Sequence, residues 1–245
     1  MNLGYKFNVF VDLFFRKGGW QRVIFEGLRN TLMIAILGLL IGILIGTVIA
    51  IIRVMPKYKK LPRFLDKLCT VYVGFFRGTP IVVQLLLAYY VLFPVLRDFI
   101  KQSVGLEIAI TSLTTCILVF GLNSGAYVSE VMRGGINSVD RGQLEAARAV
   151  GLPYSVSMLR IVVPQAVKNI LPTLGNEFIA LVKDTSVVSF VAAVDLYKTF
   201  TEIGNVRYEY LMPYFAMAIL YIVLVMIISL GVKLLERRLN KNERS

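Results

Sequence analysis

Four stretches of this chain carry no Asp, Glu, Lys or Arg: residues 30–52, 78–96, 108–129 and 210–232, which are 23, 19, 22 and 23 residues long. About 20 apolar residues suffice to cross the hydrocarbon core of a bilayer as a helix. The pattern therefore predicts an all-α integral membrane protein. Composition agrees, with 57% apolar and 17% charged residues against roughly 45–50% and 25% in ordinary soluble domains. A soluble enzyme is excluded. The longest polar stretch between spans, 130–160, has 31 residues, fewer than the roughly 40 below which a domain needs disulfides, metals or partners to fold.

The formal charge of +12 would point to nucleic acid in a soluble chain. Here the Lys and Arg residues collect in the polar connections, as the cytoplasmic bias of positive charge requires, and no nucleic-acid partner is expected. With no histidine in the sequence, a His-ligated metal, a Ser-His-Asp triad and a histidine proton relay are all absent. Cys69 and Cys116 sit in or beside apolar spans without Cys-x-x-Cys spacing and read as packed thiols. Asp12, Arg16, Lys17, Arg22 and Glu26 precede the first apolar run, so no removable signal peptide is expected.

A fifth span is less obvious. Residues 161–194 are apolar overall but carry Lys168, Glu177, Lys183 and Asp184 and are bent by Pro164, Pro172 and Gly175. Five crossings put the termini on opposite sides of the membrane. Lys and Arg number six in connection 53–67, four in 130–160 and five in 233–245, against two each in 97–107 and 195–212. The richer set is cytoplasmic, which places the C-terminus inside and the N-terminus outside, although the N-terminal segment 1–31 itself carries five basic residues. The expected spans are about 30–52, 68–96, 108–129, 161–194 and 210–232 within a membrane domain 30–234, followed by a basic tail 235–245.

In segment 1–29, Phe7, Phe10, Val11, Phe14 and Phe15 recur at helical spacing, with Asp12, Arg16 and Lys17 off the stripe. That predicts an interfacial amphipathic helix on the outer leaflet with Trp20 as its anchor. In the first span Gly38, Gly42, Gly46 and Ala50 form a ridge of small residues, which lets another helix approach closely. The partner is either in this chain or in a second copy.

Between the third and fourth spans, Asp140 and Gln143 have the spacing of a capping box, and Gly151 before Leu152-Pro153 is a stop signal. The helix over 141–150, within 140–152, is about 15 Å long, too short to persist without tertiary contact. Ala146, Ala147 and Ala149 permit close contact, with Glu145 and Arg148 at its edge.

The run Glu145-Ala146-Ala147-Arg148-Ala149-Val150-Gly151, with Ile161 and Pro164 downstream, resembles the EAA loop of permease subunits of ATP-binding-cassette (ABC) importers. Phe75-Phe76-Arg77-Gly78-Thr79-Pro80 with Gln84, Ala126-Tyr127 with Glu130, Arg133-Gly134-Gly135-Ile136, and Lys183-Asp184-Thr185-Ser186 resemble the polar amino acid uptake branch of that family. The resemblance implies a type I importer fold in a bacterial inner membrane. It also implies a second permease copy or a close relative, two copies of a cytoplasmic ATPase that holds ATP and Mg, and an extracytoplasmic amino-acid-binding protein. Glu145, Ala146, Ala147 and Gly151 would then couple to the ATPase. The residues themselves agree: no Gly-x-x-x-x-Gly-Lys-[Ser/Thr] phosphate loop occurs, so this chain is not expected to be an enzyme or to carry a cofactor or metal. Five helices also make a thin wall for a solute path, which favours a dimer of ten.

Intramembrane charges bear on the substrate. Arg77, Glu177, Lys183 and Asp184 would each cost about 2.5–3.5 kcal/mol at the bilayer centre, so they must pair, line a wet cavity or lie near an interface. If the second span enters near Leu68, Arg77 is about 14 Å inside; if the fourth starts near Ile161, Glu177 is about 24 Å and Asp184 about 35 Å along it. A guanidinium and a carboxylate on facing helices suit an amino acid. The alternative for Arg77 is a pairing that holds helices in register. Arg77, Gln84, Asn123, Glu177, Lys183 and Asp184 are the candidate pathway residues. A secondary transporter or channel for small polar solutes would use the same charges without ATP.

Overall fold

The computed structural model describes residues 3–55, 58–105 and 109–241; the last residues of the predicted basic tail, 242–245, lie outside it. The described residues are helical, with no strand among them. The helices are α1 (Leu3–Val11), α2 (Gly19–Arg22), α3 (Arg29–Val54), α4 (Lys60–Gly78), α5 (Ile81–Leu87), α6 (Phe93–Val104), α7 (Ser112–Asn137), α8 (Arg141–Ala149), α9 (Tyr154–Ser157), α10 (Val163–Asp184), α11 (Leu196–Asn205) and α12 (Leu211–Lys241).

Four helical segments, Gly19–Val54, Ile81–Val104, Ser112–Asn137 and Leu211–Arg238, are long and apolar enough to cross a membrane by length and composition. This is one fewer than the five expected. The missing one, α10, is a full 22 residues, but Lys168, Glu177, Lys183 and Asp184 dilute its hydropathy.

The glycine ridge finds its partner inside the chain. Gly38, Gly42 and Gly46 of α3 face Phe120, Ser124 and Ser129 of α7, and Gly121 and Gly125 of α7 in turn face Ile41 and Ile45 of α3. Lipid tails are as apolar as leucine, so van der Waals contact of this kind must supply most of the association. At the far end of the pair Glu130 of α7 receives Arg53 of α3 and Arg133 of its own helix, the latter at 2.6 Å. The main core fills the space between α3, α5, α7 and α10 with Ile34, Leu85, Phe120, Leu181 and Val188. The last helix is peripheral: none of its most apolar window is buried.

The N-terminal segment differs from the predicted surface helix. Gly18, at φ 77°, ends the first helical run, and the chain then continues through a π-helical turn at Val23–Leu28 directly into α3. Phe10 and Phe14 pack with Val23, Leu196, Phe200 and Ile203, and Lys6 pairs with Glu209 at 2.6 Å. The stripe therefore serves partly as a core contact with α11, while Phe7 and Phe15 remain exposed.

Candidate functional site

The second apolar stretch is not one helix. Pro80 has no N–H and disfavours helical geometry in Thr79 before it; Thr79 is extended, at φ −119° and ψ 142°, and α4 stops at Gly78. A helix end in an apolar setting leaves carbonyls without partners, and side chains supply them. Thr79 Oγ1 donates to Phe75 O at 2.8 Å, and Gln84 Nε2 donates to Phe76 O at 2.9 Å and to Thr79 Oγ1 at 2.8 Å. Asn123 Nδ2 on α7 reaches Phe76 O at 3.2 Å and Gln84 Oε1 at 3.0 Å. Gln84 and Asn123 are both buried. Gln84 is therefore a staple for the break and does not line the cavity beside it.

The break opens a cavity of about 460 Å³ beside it, lined by Arg77, Thr79, Asn123, Tyr127, Glu177 and Asp184 among others. Its size lies in the range of small-molecule sites, roughly 300–1,000 Å³. Arg77, in the last turn of α4, is where a cation meets the negative end of the helix dipole. Its guanidinium carbon lies 5.4 Å from the centre of the Tyr127 ring, within the distance of a cation–π contact. Among the described residues it forms no ion pair and no hydrogen bond, so its donors are available to the cavity. Glu177 and Asp184 come from α10, seven residues apart and thus on one face; Ala180 and Leu181 lie between them on that face.

The structure thus brings together Arg77, Asn123, Glu177 and Asp184. It does not bring in Lys183, which lies in a separate groove against α12. Tyr127 escaped the sequence reading as a site residue although it is four residues from Asn123, the spacing of neighbours on one helix face.

The segment after Asp140 forms α8, one residue shorter than expected. Asp140 caps it by accepting from Gly142 N at 2.6 Å, while the Gln143 side chain accepts from Gln165 instead of closing a capping box. The stop is as predicted: Gly151 takes φ 88°, and Leu152 N reaches Ala147 O at 3.1 Å and Gly151 N reaches Arg148 O at 3.0 Å, a Schellman motif. Ala147 is buried, and Leu144 packs against the buried cluster that contains Val139 and Val162. Glu145, Ala146, Ala149 and Val150 face outward, so a small-residue face with one carboxylate is left free for a partner.

Residues 42–241 match the family described as binding-protein-dependent transport system inner membrane component. The putative glutamine transport system permease protein GlnP of Rickettsia felis is 38% identical over 219 residues, 89% of this chain and 94% of its own. The arginine transport system permease protein ArtQ of Bacillus subtilis is 36% identical over 220 residues, 90% of this chain and 94% of its own. A crystal structure of an amino acid ABC transporter with histidines superposes with a TM-score of 0.77 at 35% identity, covering 92% of this chain and 98% of that one. The inward-facing MetNI methionine ABC transporter, at 18% identity and a TM-score of 0.68, shares the fold. With most of its length matched in sequence and in fold, this chain belongs to the binding-protein-dependent transport system inner membrane components, as a permease of the ABC type.

Proposed function

We propose that the chain is the membrane-spanning permease of an importer for polar or charged amino acids, driven by ATP hydrolysis in a partner subunit. The observation that carries this reading is the cavity in which an unpaired guanidinium, Arg77, shares a wall with Glu177 and Asp184. An amino acid presents one carboxylate and one ammonium, and this lining offers an opposite charge to each. The named relatives include glutamine and arginine permeases, which supports amino acids as the class.

In this reading the chain crosses the membrane five times, α10 being the polar crossing that carries the site, with the N-terminus outside and the C-terminus in the cytoplasm. Two permease chains, identical or related, form the path. Glu145, Ala146 and Gly151 meet one of two ATPase subunits, which hold ATP and Mg, while Ala147, buried, seats α8 on its own chain; an extracytoplasmic binding protein delivers the amino acid.

The test is uptake by the reconstituted complex with Arg77→Lys and Arg77→Gln. Lysine keeps the charge but loses the bidentate fork, so uptake should weaken in the first variant and vanish in the second, with complex yield unchanged. Loss of yield in step with loss of uptake would overturn substrate contact by Arg77.

A further inference from the structure

Lys183 belongs to a motif that the cavity leaves unused. Asp184, its neighbour, turns into the cavity, while Lys183 lines a different groove of about 520 Å³ between the end of α10, the start of α11 and α12. The polar part of that groove is Lys183, Ser186, Tyr197 and Tyr221, and the rest is the apolar wall of α12 from Met217 to Met226.

Two observations bear on what fills it. The Lys183 ammonium has no ion pair and no hydrogen bond among the described residues, and no carboxylate lines the groove. The apolar wall is continuous with the face of α12 that no described residue of this chain buries. A soluble anion would satisfy the ammonium but leave that wall bare. From Met217 to Met226 the helix rises about 14 Å, close to half the roughly 30 Å hydrocarbon thickness. One molecule with an anion at its head and a hydrocarbon chain of one leaflet's depth matches both parts.

We propose that this groove binds a phospholipid with an anionic headgroup, its phosphate held by Lys183 with the hydroxyls of Ser186 and Tyr197, and an acyl chain laid along α12 to Met226.

The test uses the assembled complex, purified in mild detergent, with thermal stability followed during titration by phosphatidylglycerol or phosphatidylcholine, and with bound lipid counted by native mass spectrometry. The wild type should retain phosphatidylglycerol and respond to it at about fivefold lower concentration than to phosphatidylcholine, the equivalent of the roughly 1 kcal/mol one lysine contributes near an anionic headgroup. Lys183→Gln should abolish that preference. Met226 is 64% exposed, so Met226→Trp should fold normally, fill the groove and weaken the binding of both lipids. Equal response to both lipids in the wild type would overturn the proposal, as would an unchanged preference in Lys183→Gln. So would stabilisation reproduced by inorganic phosphate alone, which would make this a free-anion site. A photocrosslinker at position 226 should capture lipid; capture of the second permease chain instead would make the groove an interface between copies.

Discussion

The contact between α3 and α7 is the most extensive helix pairing among the described residues, and Gly46→Ala tests it. A Cβ on Gly46 would lie 2.8 Å from the backbone nitrogen of Ser129 and 2.8 Å from Val128 Cγ1, where ordinary contact begins near 3.4 Å. A backbone atom inside a helix cannot swing aside, so the two helices must part by about 0.6 Å, a gap that forfeits a quarter or more of the dispersion well for each atom pair along the seam. The expected cost is about 1–3 kcal/mol, the usual penalty of overpacking, or roughly 2–4 °C of melting temperature per kcal/mol for a chain of this size. Gly231→Ala is the control, because a Cβ there meets nothing within 4 Å and alanine is the better helix former by about 1 kcal/mol. Gly42→Ala gives a second arm. Its Cβ would lie 2.5 Å from Ser124 Oγ and 2.7 Å from Ser124 Cβ, both of which Ser124→Gly removes. Gly42→Ala should therefore cost less in the Ser124→Gly background than alone, with a coupling of about 0.5–3 kcal/mol. Melting of the purified complex, followed by fluorescence-detected gel filtration, reads all of these. A Gly46→Ala complex as stable as Gly231→Ala, or a cycle with no coupling, would refute the packing argument.

Glu145→Lys and Gly151→Asp should abolish substrate-stimulated ATP turnover while leaving membrane insertion intact, because both residues lie in α8 and its stop; at φ 88° any residue with a Cβ adds about 1–2 kcal/mol of strain. Normal transport by both variants would remove α8 from the coupling path. Asp195 caps α11, accepting from Tyr197 N at 3.1 Å and Lys198 N at 2.9 Å, and is fully buried; burial pushes its carboxyl up to about 6, while those two N–H groups and the Lys198 charge pull the other way. Because the folded value is above the unfolded one, the group's contribution to stability is complete below about pH 4 and is lost as pH rises through about 6, on the order of 3 kcal/mol in all. The melting difference between wild type and Asp195→Asn should therefore favour the wild type more at pH 4.5 than at pH 7.5, and a difference that does not vary with pH would refute it.

What the sequence made legible was whatever depends on local periodicity. Uncharged length predicts α3, α7 and α12, and the Asp140 and Gly151 signals bracket α8 because caps act within one turn. The convergence of Arg77 with Glu177 and Asp184 was legible as a cost argument, since charges in an apolar setting must meet water or one another. The separation of Lys183 from this cavity is legible too: at 100° per residue it lies about 120° around α10 from Glu177, so a face shared by Glu177 and Asp184 excludes it. The break at Pro80 is hidden by uncharged length, because hydropathy has no term for a missing N–H. Other features depend on distant chain. Asn30 donating to Val194 O at 2.9 Å, Thr31 accepting from Leu196 N at 3.3 Å and Arg53 meeting Glu130 join residues 77 to 165 positions apart, and no pattern within one segment encodes such pairs.

These long-range pairs bear on how the site is held. The cavity is built where helical regularity stops, at the end of α4, and backbone freed from a helix inside a membrane is tolerable only where side chains complete its hydrogen bonds. Gln84 and Asn123 do so from two different elements, and that ties the position of Arg77 to α7. On the opposite wall, Gly135 of α7 receives Ile170 of α10 so closely that a Cβ would lie 2.2 Å from Ile170 Cγ1, which ties Glu177 and Asp184 to the same helix. Helix α7 is therefore the common reference for both charged walls, and it is also the helix that α3 clamps through its glycines. A change in the separation of Arg77 from the two carboxylates must move α4 or α10 against α7, and α10 is the element that connects through α9 to α8. Displacement of α8 thus reaches α7 directly through residues 138–140 and α10 through α9, so it loads the common reference and the carboxylate wall together.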